Sequence, residues 1–243
     1  MNTQGVAVAL FCKTPKTGSS KTRLSPLLTP EQSAALSAAF IRDVSSTMLE
    51  AAAQTSAVNY AVYTPAGSET DLYPLLPQDF RVMPQVEGDL GARLIAAMHA
   101  LFEEGHRGVI FVNADGPTLP HSLLYDAIRM TESGDKAVIG PALDGGYTIV
   151  GMARPHEALF TDIDWSTDKV FAQTRSKALR LNLPVVELPL WYDVDDEASL
   201  ILLASELSGK PLSFAKPGLT GAPASATRHY LRQIRHPRIS LVS

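Results

Sequence analysis

The sequence predicts an α/β domain of three layers: a mostly parallel sheet with helices on both faces. Short apolar runs rich in β-formers recur at 6–12, 59–63, 108–113, 136–140, 147–151 and 184–188. Most are too unbroken to be strands with one face in water. Helix-like stretches separate them at 30–53, 89–104, 121–132, 168–181 and 196–207. In the second of these Leu90, Leu94, Met98 and Leu101 fall on one helical face. An alternating β and α order places the ligand crevice at the carboxyl ends of the strands, so polar residues just after strands take priority.

Composition narrows the functional classes. The chain has 243 residues, 45% of them hydrophobic, enough for one large or two small cores. With 21 basic against 25 acidic residues the net charge is -4, too balanced for a nucleic-acid-coating protein. A single cysteine, Cys12, excludes an internal disulfide framework and a thiol-based structural zinc site. No basic residue precedes the apolar run at 6–12, and no stretch approaches the ~18 apolar residues of a membrane span. A cytoplasmic protein is expected, with neither nucleic acid nor membrane as partner.

Charge also divides the chain. Residues 209–243 hold Lys210, Lys216, Arg228, Arg232, Arg235 and Arg238 with no acid, so residues 1–208 carry a net -10. The expected organisation is a catalytic domain over 1–208 and a basic extension over 209–243. That extension has a Pro/Gly/Ala/Ser linker at 216–226 and a short amphipathic helix near 227–235. The helix is expected to pack on its own domain or on a sister subunit, and a basic tail against an acidic body permits a homodimer.

Four strand-end segments carry the candidate chemistry. After the first strand, FCKTPKTGSSKTRL gathers Lys13, Lys16, Lys21 and Arg23 around Gly18, Ser19 and Ser20. It reads as a phosphate cradle, although the second glycine of a Walker loop is missing. In VIFVNADGPTLP, Asp115 follows an apolar strand and can either meet a hard cation such as Mg²⁺ or cap the turn or the next helix. In GPALDGGYTIVG, Asp144 precedes Gly145, Gly146 and Tyr147. That group can accept hydrogen bonds from sugar hydroxyls or simply turn a hairpin. In WYDVDDEASL, alternation puts Asp193 and Asp195 on one side, available to complete a metal site with Asp115, while Asp196 suits a helix N-cap. Trp165 is expected as wall or core, with Ser166 or Thr167 capping the helix that follows, and Cys12 as a small hydrophobe. No histidine pair has metal-ligand spacing and no G-x-S-x-G elbow occurs, so His99 and His106 read as structural.

Taken in order, FCKTPKTGSSKTRL, GDLGARL, NADGPTLP, GPALDGGYTIVG, WSTDKV and WYDVDD resemble a bacterial family of glycosyltransferase-A-like proteins, some called arsenosugar-biosynthesis glycosyltransferases. The resemblance spans about residues 5–203. It implies the Rossmann-like fold of the nucleotide-diphospho-sugar transferases, with kinship to phospholactate guanylyltransferase and the molybdenum-cofactor nucleotidyltransferases. The pattern F-x-K-x-P-x-x-G-x-x-K-T-R-L falls on Phe11, Lys13, Pro15, Gly18, Lys21, Thr22, Arg23 and Leu24, implying a nucleotide loop. D-x-P-x-L falls on Asp115, Pro117 and Leu119, implying the superfamily's metal acid, and D-G-G-Y on Asp144 to Tyr147, implying the sugar or acceptor side. Asp196 stands where relatives carry Thr, and Ala92 where many carry Glu. The extra acid leaves open which carboxylate of 193–196 meets the metal.

The leading expectation is a Mg²⁺- or Mn²⁺-dependent transferase that moves a glycosyl group from a nucleoside-diphosphate sugar to an acceptor hydroxyl. Lys13, Lys21 and Arg23, with Gly18 and Thr22, would hold the diphosphate, and Asp115 with Asp193 or Asp195 the metal. Asp144 would position or deprotonate the acceptor beside Gly145, Gly146, Tyr147 and Trp165. The alternatives are nucleotidyl transfer from an NTP to a phosphorylated small molecule, favoured by the extra Lys16, and a non-catalytic nucleotide-binding protein.

Overall fold

The computed structural model describes residues 4–25, 27–239 and 241. Seven strands form one sheet: β1 (Ala7–Lys13), β2 (Val58–Thr64), β3 (Arg81–Pro84), β4 (Val109–Asn113), β5 (Ala137–Pro141), β6 (Tyr147–Met152) and β7 (Val185–Glu187). Their order is β3-β2-β1-β4-β6-β5-β7. All pair in parallel except β6, which runs antiparallel to both β4 and β5. The exception has a local cause: the turn at 142–146 joins β5 to β6 without a helix, and so short a link permits only an antiparallel return. The sheet is therefore mostly parallel, as expected, and the Asp144-Gly145 turn joins these two strands.

Alternation along the strands divides the interior into two cores. Val8, Leu10, Cys12, Ala61, Ile110, Val112 and Ile149 face α1 (Pro30–Ala52), α4 (His121–Glu132) and α6 (Glu197–Leu207). Their neighbours Ala7, Ala9, Val62, Phe111, Ile139 and Val150 face α3 (Leu90–Glu103) and α5 (Val170–Arg180). Strands covered on both faces cannot afford polar interruptions, which explains why they read as continuous apolar runs. The single-turn α2 (Glu69–Leu72) lies between β2 and β3. The strand β3, a four-residue edge strand with exposed ends, has no counterpart among the predicted apolar runs. Among the described residues no helix is long and apolar enough to cross a membrane.

The basic extension packs on the first of these cores. Ala224, Leu231, Ile234, Ile239 and Leu241 are buried in it. Its helix α7 (Ser225–Leu231) begins and ends earlier than the 227–235 expected and lies against α1. The cause of the early start is tertiary. Asp43 of α1, only 6% exposed, accepts the N–H groups of Ala226 and Thr227, both at 2.8 Å. A buried carboxylate from another helix thus performs the work of an N-cap side chain. Replacing it by Ala should lower unfolding free energy by ~1–3 kcal/mol in urea titration, with Asn recovering part of the loss. Unchanged stability in Asp43→Ala would show that the extension contributes nothing there.

Candidate functional site

The carboxyl ends of β1 and β4 and the β5–β6 turn open onto one crevice, and the segment after β7 crosses it. Three backbone bonds lay that segment down: Leu188 N–H to the Ile139 carbonyl (2.8 Å), Trp191 to Pro141 (3.1 Å) and Val194 to Asp115 (2.8 Å). Val194 is buried and its neighbours Asp193 and Asp195 turn into the crevice. Asp196 caps α6, accepting the Ser199 N–H at 2.8 Å, which pulls its carboxyl below the usual range.

One carboxylate oxygen each from Asp144, Asp193 and Asp195 lies within 4.8 Å of the others. Hard carboxylate oxygens gathered this closely could hold a divalent cation. Asp144 shares this spacing with Asp193 and Asp195, whereas Asp115, expected in the same set, lines the crevice beside them and is engaged by Lys21. Asp115 is paired with Lys21 at 2.7 Å and does not cap α4, whose N-cap is Pro120. Asp144 is oriented by the Gly146 N–H (2.8 Å) within the turn. Asp193 is fixed by Asn113 Nδ2 at 3.1 Å. Burial, then the charges of Asp144, Asp195 and Asp115, push the Asp193 carboxyl up to about 7. Excess negative charge of this kind is what a bound cation would relieve.

Lys21 organises the other side. Its ammonium donates to Asp115 (2.7 Å), Asp195 (2.8 Å) and the Val194 carbonyl (2.7 Å), which fills all three donors. Burial alone would lower its pKa, but the two carboxylates outweigh it and hold the lysine protonated. Lys21, expected to hold phosphate, holds these carboxylates together and also lines the basic cleft. Lys13, Thr22 and Arg23 line a cleft of about 300 Å³ beside it, with Ser19, Ser20 and Ser37. Gly18, at φ 77, shapes the loop without lining that cleft, and neither does Lys16. Ser19 and Ser20 donate their N–H groups to the Lys16 carbonyl at 3.1 Å, so side chains supply the cleft's charge.

On the opposite side a cleft of about 310 Å³ is walled by Phe11, Phe111, Tyr147 and Trp165 and reaches Asp115, Asp144 and Asp193. Three motifs distant in sequence build it through close approach. A Cβ on Gly91 would lie 2.4 Å from the Phe160 carbonyl and 3.0 Å from the Trp165 indole nitrogen. One on Gly145, at φ 91, would strike the Asp168 backbone at 2.3 Å. Tyr147 and Trp165 meet edge to face at 6.5 Å, and burial pushes the Tyr147 phenol up. Thr167 does not cap α5: its hydroxyl donates to the Asp164 carbonyl (2.7 Å) in a preceding turn, and Ser166 is left-handed at φ 63. Gly146 lines the aromatic cleft, whereas Gly145 supports the turn from outside.

Gln85 and Asn113 belong to the same cleft and were missed in the sequence. Asn113 shares the alternation that aims Asp115, a usable signal, but Gln85 follows the unrecognised β3. The Cys12 thiol, pushed to about 12 chiefly by burial, is inert packing. His99 pairs with Glu157, and His106 bridges the Tyr60 hydroxyl and the Gly5 carbonyl, structural roles as expected.

The chain is similar to several known proteins. Residues 47–167 match the family described as "Uncharacterized protein conserved in bacteria (DUF2064)". A Desulfovibrio desulfuricans G20 protein, provisionally named a nucleotide-diphospho-sugar transferase, is 29% identical over 95% of each chain, with a TM-score of 0.77. The 4-diphosphocytidyl-2C-methyl-D-erythritol synthase of Anaerococcus prevotii is 10% identical over 84% of this chain and 96% of its own, TM-score 0.55. Mycobacterium tuberculosis glucosyl-3-phosphoglycerate synthase, solved with Mn²⁺ and UDP, is 12% identical over 86% and 82%, TM-score 0.51. The last two share the fold. No curated protein matches the chain in sequence.

The raised Asp193 carboxyl makes a signed prediction. Its folded form holds a proton more tightly than the unfolded chain, so its contribution to stability falls as pH rises from about 4 to about 7 and is then constant. Without metal, Asp193→Asn should therefore gain stability over the native protein across that window, on the order of 2 kcal/mol at pH 8. Thermal unfolding at pH 4.5 and 8 in EDTA checks it, and a pH-independent difference would contradict it.

Proposed function

We propose that the protein is a divalent-metal-dependent transferase that moves a glycosyl group from a nucleoside-diphosphate sugar to an acceptor hydroxyl. The observation that carries this reading is the carboxylate trio set between a basic cleft and an aromatic one. The 29% identical relative bears the matching name. Residues 1–208 form the catalytic unit in this reading, with 209–243 as its cover.

Each side chain then has a task. Lys13 and Arg23, with Thr22, receive the diphosphate, because these are the cations in the basic cleft that carboxylates do not occupy. Gly18 holds the loop in shape around them. Asp144, Asp193 and Asp195 would hold Mg²⁺ or Mn²⁺, which when bound supplies positive charge against the departing nucleotide. Lys21 keeps Asp115 and Asp195 together without competing for phosphate. Asp144, shared between the trio and the aromatic cleft, is placed to accept a hydrogen bond from an acceptor hydroxyl beside Gly146, Tyr147 and Trp165.

Nucleotidyl transfer would break a different bond and release pyrophosphate, so product analysis separates the two. Incubated with Mn²⁺, a panel of nucleotide sugars and simple acceptors, the protein should release nucleoside diphosphate. Joint replacement of Lys13 and Arg23 by Ala should weaken nucleotide binding ~10–100-fold. Pyrophosphate released from an NTP, with no diphosphate from any nucleotide sugar, would contradict the glycosyl reading. Nucleotide affinity that is identical in EDTA and Mn²⁺ and indifferent to Asp193→Asn would contradict both.

A further inference from the structure

Three clefts meet at the carboxylate trio, and their charges differ. The basic cleft carries Lys13 and Arg23. The aromatic cleft, and a third of about 390 Å³ between Leu143 and Leu202, have no Lys, Arg or His among their described lining residues. Basic side chains near the aromatic cleft are committed elsewhere. Arg93 donates to the Gly88 carbonyl at 2.9 Å and reaches Gln85 Oε1 at 3.4 Å, and Lys169 lies 4.0 Å from the Asp164 carboxylate. In the absence of metal, a phosphate or carboxylate entering the aromatic cleft would thus face Asp115, Asp144 and Asp193 with no uncommitted cationic side chain among the described lining residues.

Two residues that line this cleft carry buried polar atoms without a partner among the described residues, Asn113 Oδ1 and the Tyr147 hydroxyl. The Asn113 amide nitrogen is used on Asp193, so its oxygen is left as an acceptor open to an O–H or N–H donor. Around these atoms the walls are aromatic faces, suited to the apolar side of a ring.

Resting on the glycosyl-transfer reading, we infer that the acceptor taken by the aromatic cleft is an uncharged, hydroxyl-bearing ring. Its face lies against Trp165 and Tyr147, and a hydroxyl donates to Asn113 Oδ1. An acceptor carrying a phosphate or carboxylate finds no Lys, Arg or His among the described residues that line this cleft. Asn113 is then a specificity-determining residue, and the phosphorylated partner of a nucleotidyl transfer has no place in this cleft.

Three probes of one shape test this: phenyl β-D-glucoside, phenyl β-D-glucuronide and phenyl β-D-glucoside 6-phosphate. Each is titrated into the full chain, with and without UDP and Mn²⁺, while tryptophan emission is followed. Trp191 is 1% exposed, so Trp165 is the reporter, and loss of the signal in Trp165→Phe verifies it. Without Mn²⁺ the neutral glucoside should bind at least ~10-fold more tightly than either anion. Leu90→Lys, which sets an ammonium on the cleft wall at a residue 41% exposed, should narrow or reverse that order. An anionic glucoside binding as tightly as the neutral one without Mn²⁺ would overturn the inference, as would no response to any probe up to about 20 mM. UDP binding, read separately by thermal shift, bears on the glycosyl reading alone, because the order of the three glucosides is also read without nucleotide.

Discussion

The Lys21 ammonium sits between Asp115 and Asp195 with only 8% of its side chain exposed, and it donates as well to the backbone at Val194. It ties the loop after β1 to the turn after β4 and to the segment after β7. Four aspartates, at 115, 144, 193 and 195, converge on this crevice, and their mutual repulsion in a partly desolvated space would drive these loops apart. One lysine neutralises one side of the cluster. The other side keeps its excess charge, visible in the raised Asp193 carboxyl, and that imbalance is what suits it to a dication.

Backbone geometry decides where the charges stand. Because β6 returns antiparallel from β5, its connecting turn lies at the same end of the sheet as the loops that follow β1 and β4, and Asp144 joins the crevice. Gly145 lets that turn lie on the start of the α5 region, and Gly91 lets Trp165 lie on the start of α3. The clefts on the two sides of the cluster consequently differ in kind, one lined by Lys13 and Arg23 and the other by aromatic rings. A reaction that separates a charged leaving group from an uncharged acceptor needs this asymmetry.

Much of this was legible in the sequence because burial on both faces forces strands into unbroken apolar runs. All but the edge strand β3 announced themselves that way, and the strand-end motifs followed from them. The pairing of side chains was not legible. Lys21, Lys13 and Arg23 look alike in a basic loop, yet Lys21 alone turns inward, with its backbone left-handed at φ 49. Asp115 and Asp144 look equally fit for a metal, and only the folded chain sets Asp115 on Lys21 and Asp144 beside Asp193 and Asp195. Asp43 lies in the middle of an apolar helix, and its partner N–H groups are more than 180 residues away. Such contacts are set by tertiary packing, to which local pattern is blind.

Mn²⁺ binding to the native protein and to single Asp→Asn variants at 115, 144, 193 and 195, followed by electron paramagnetic resonance at pH 8, tests the central assignment most directly. Loss of affinity of ~10-fold or more in the variants at 144, 193 and 195, with little change at 115, is the predicted result. Loss concentrated at 115, with 144 dispensable, would contradict it and move the ion to the Lys21 side of the crevice.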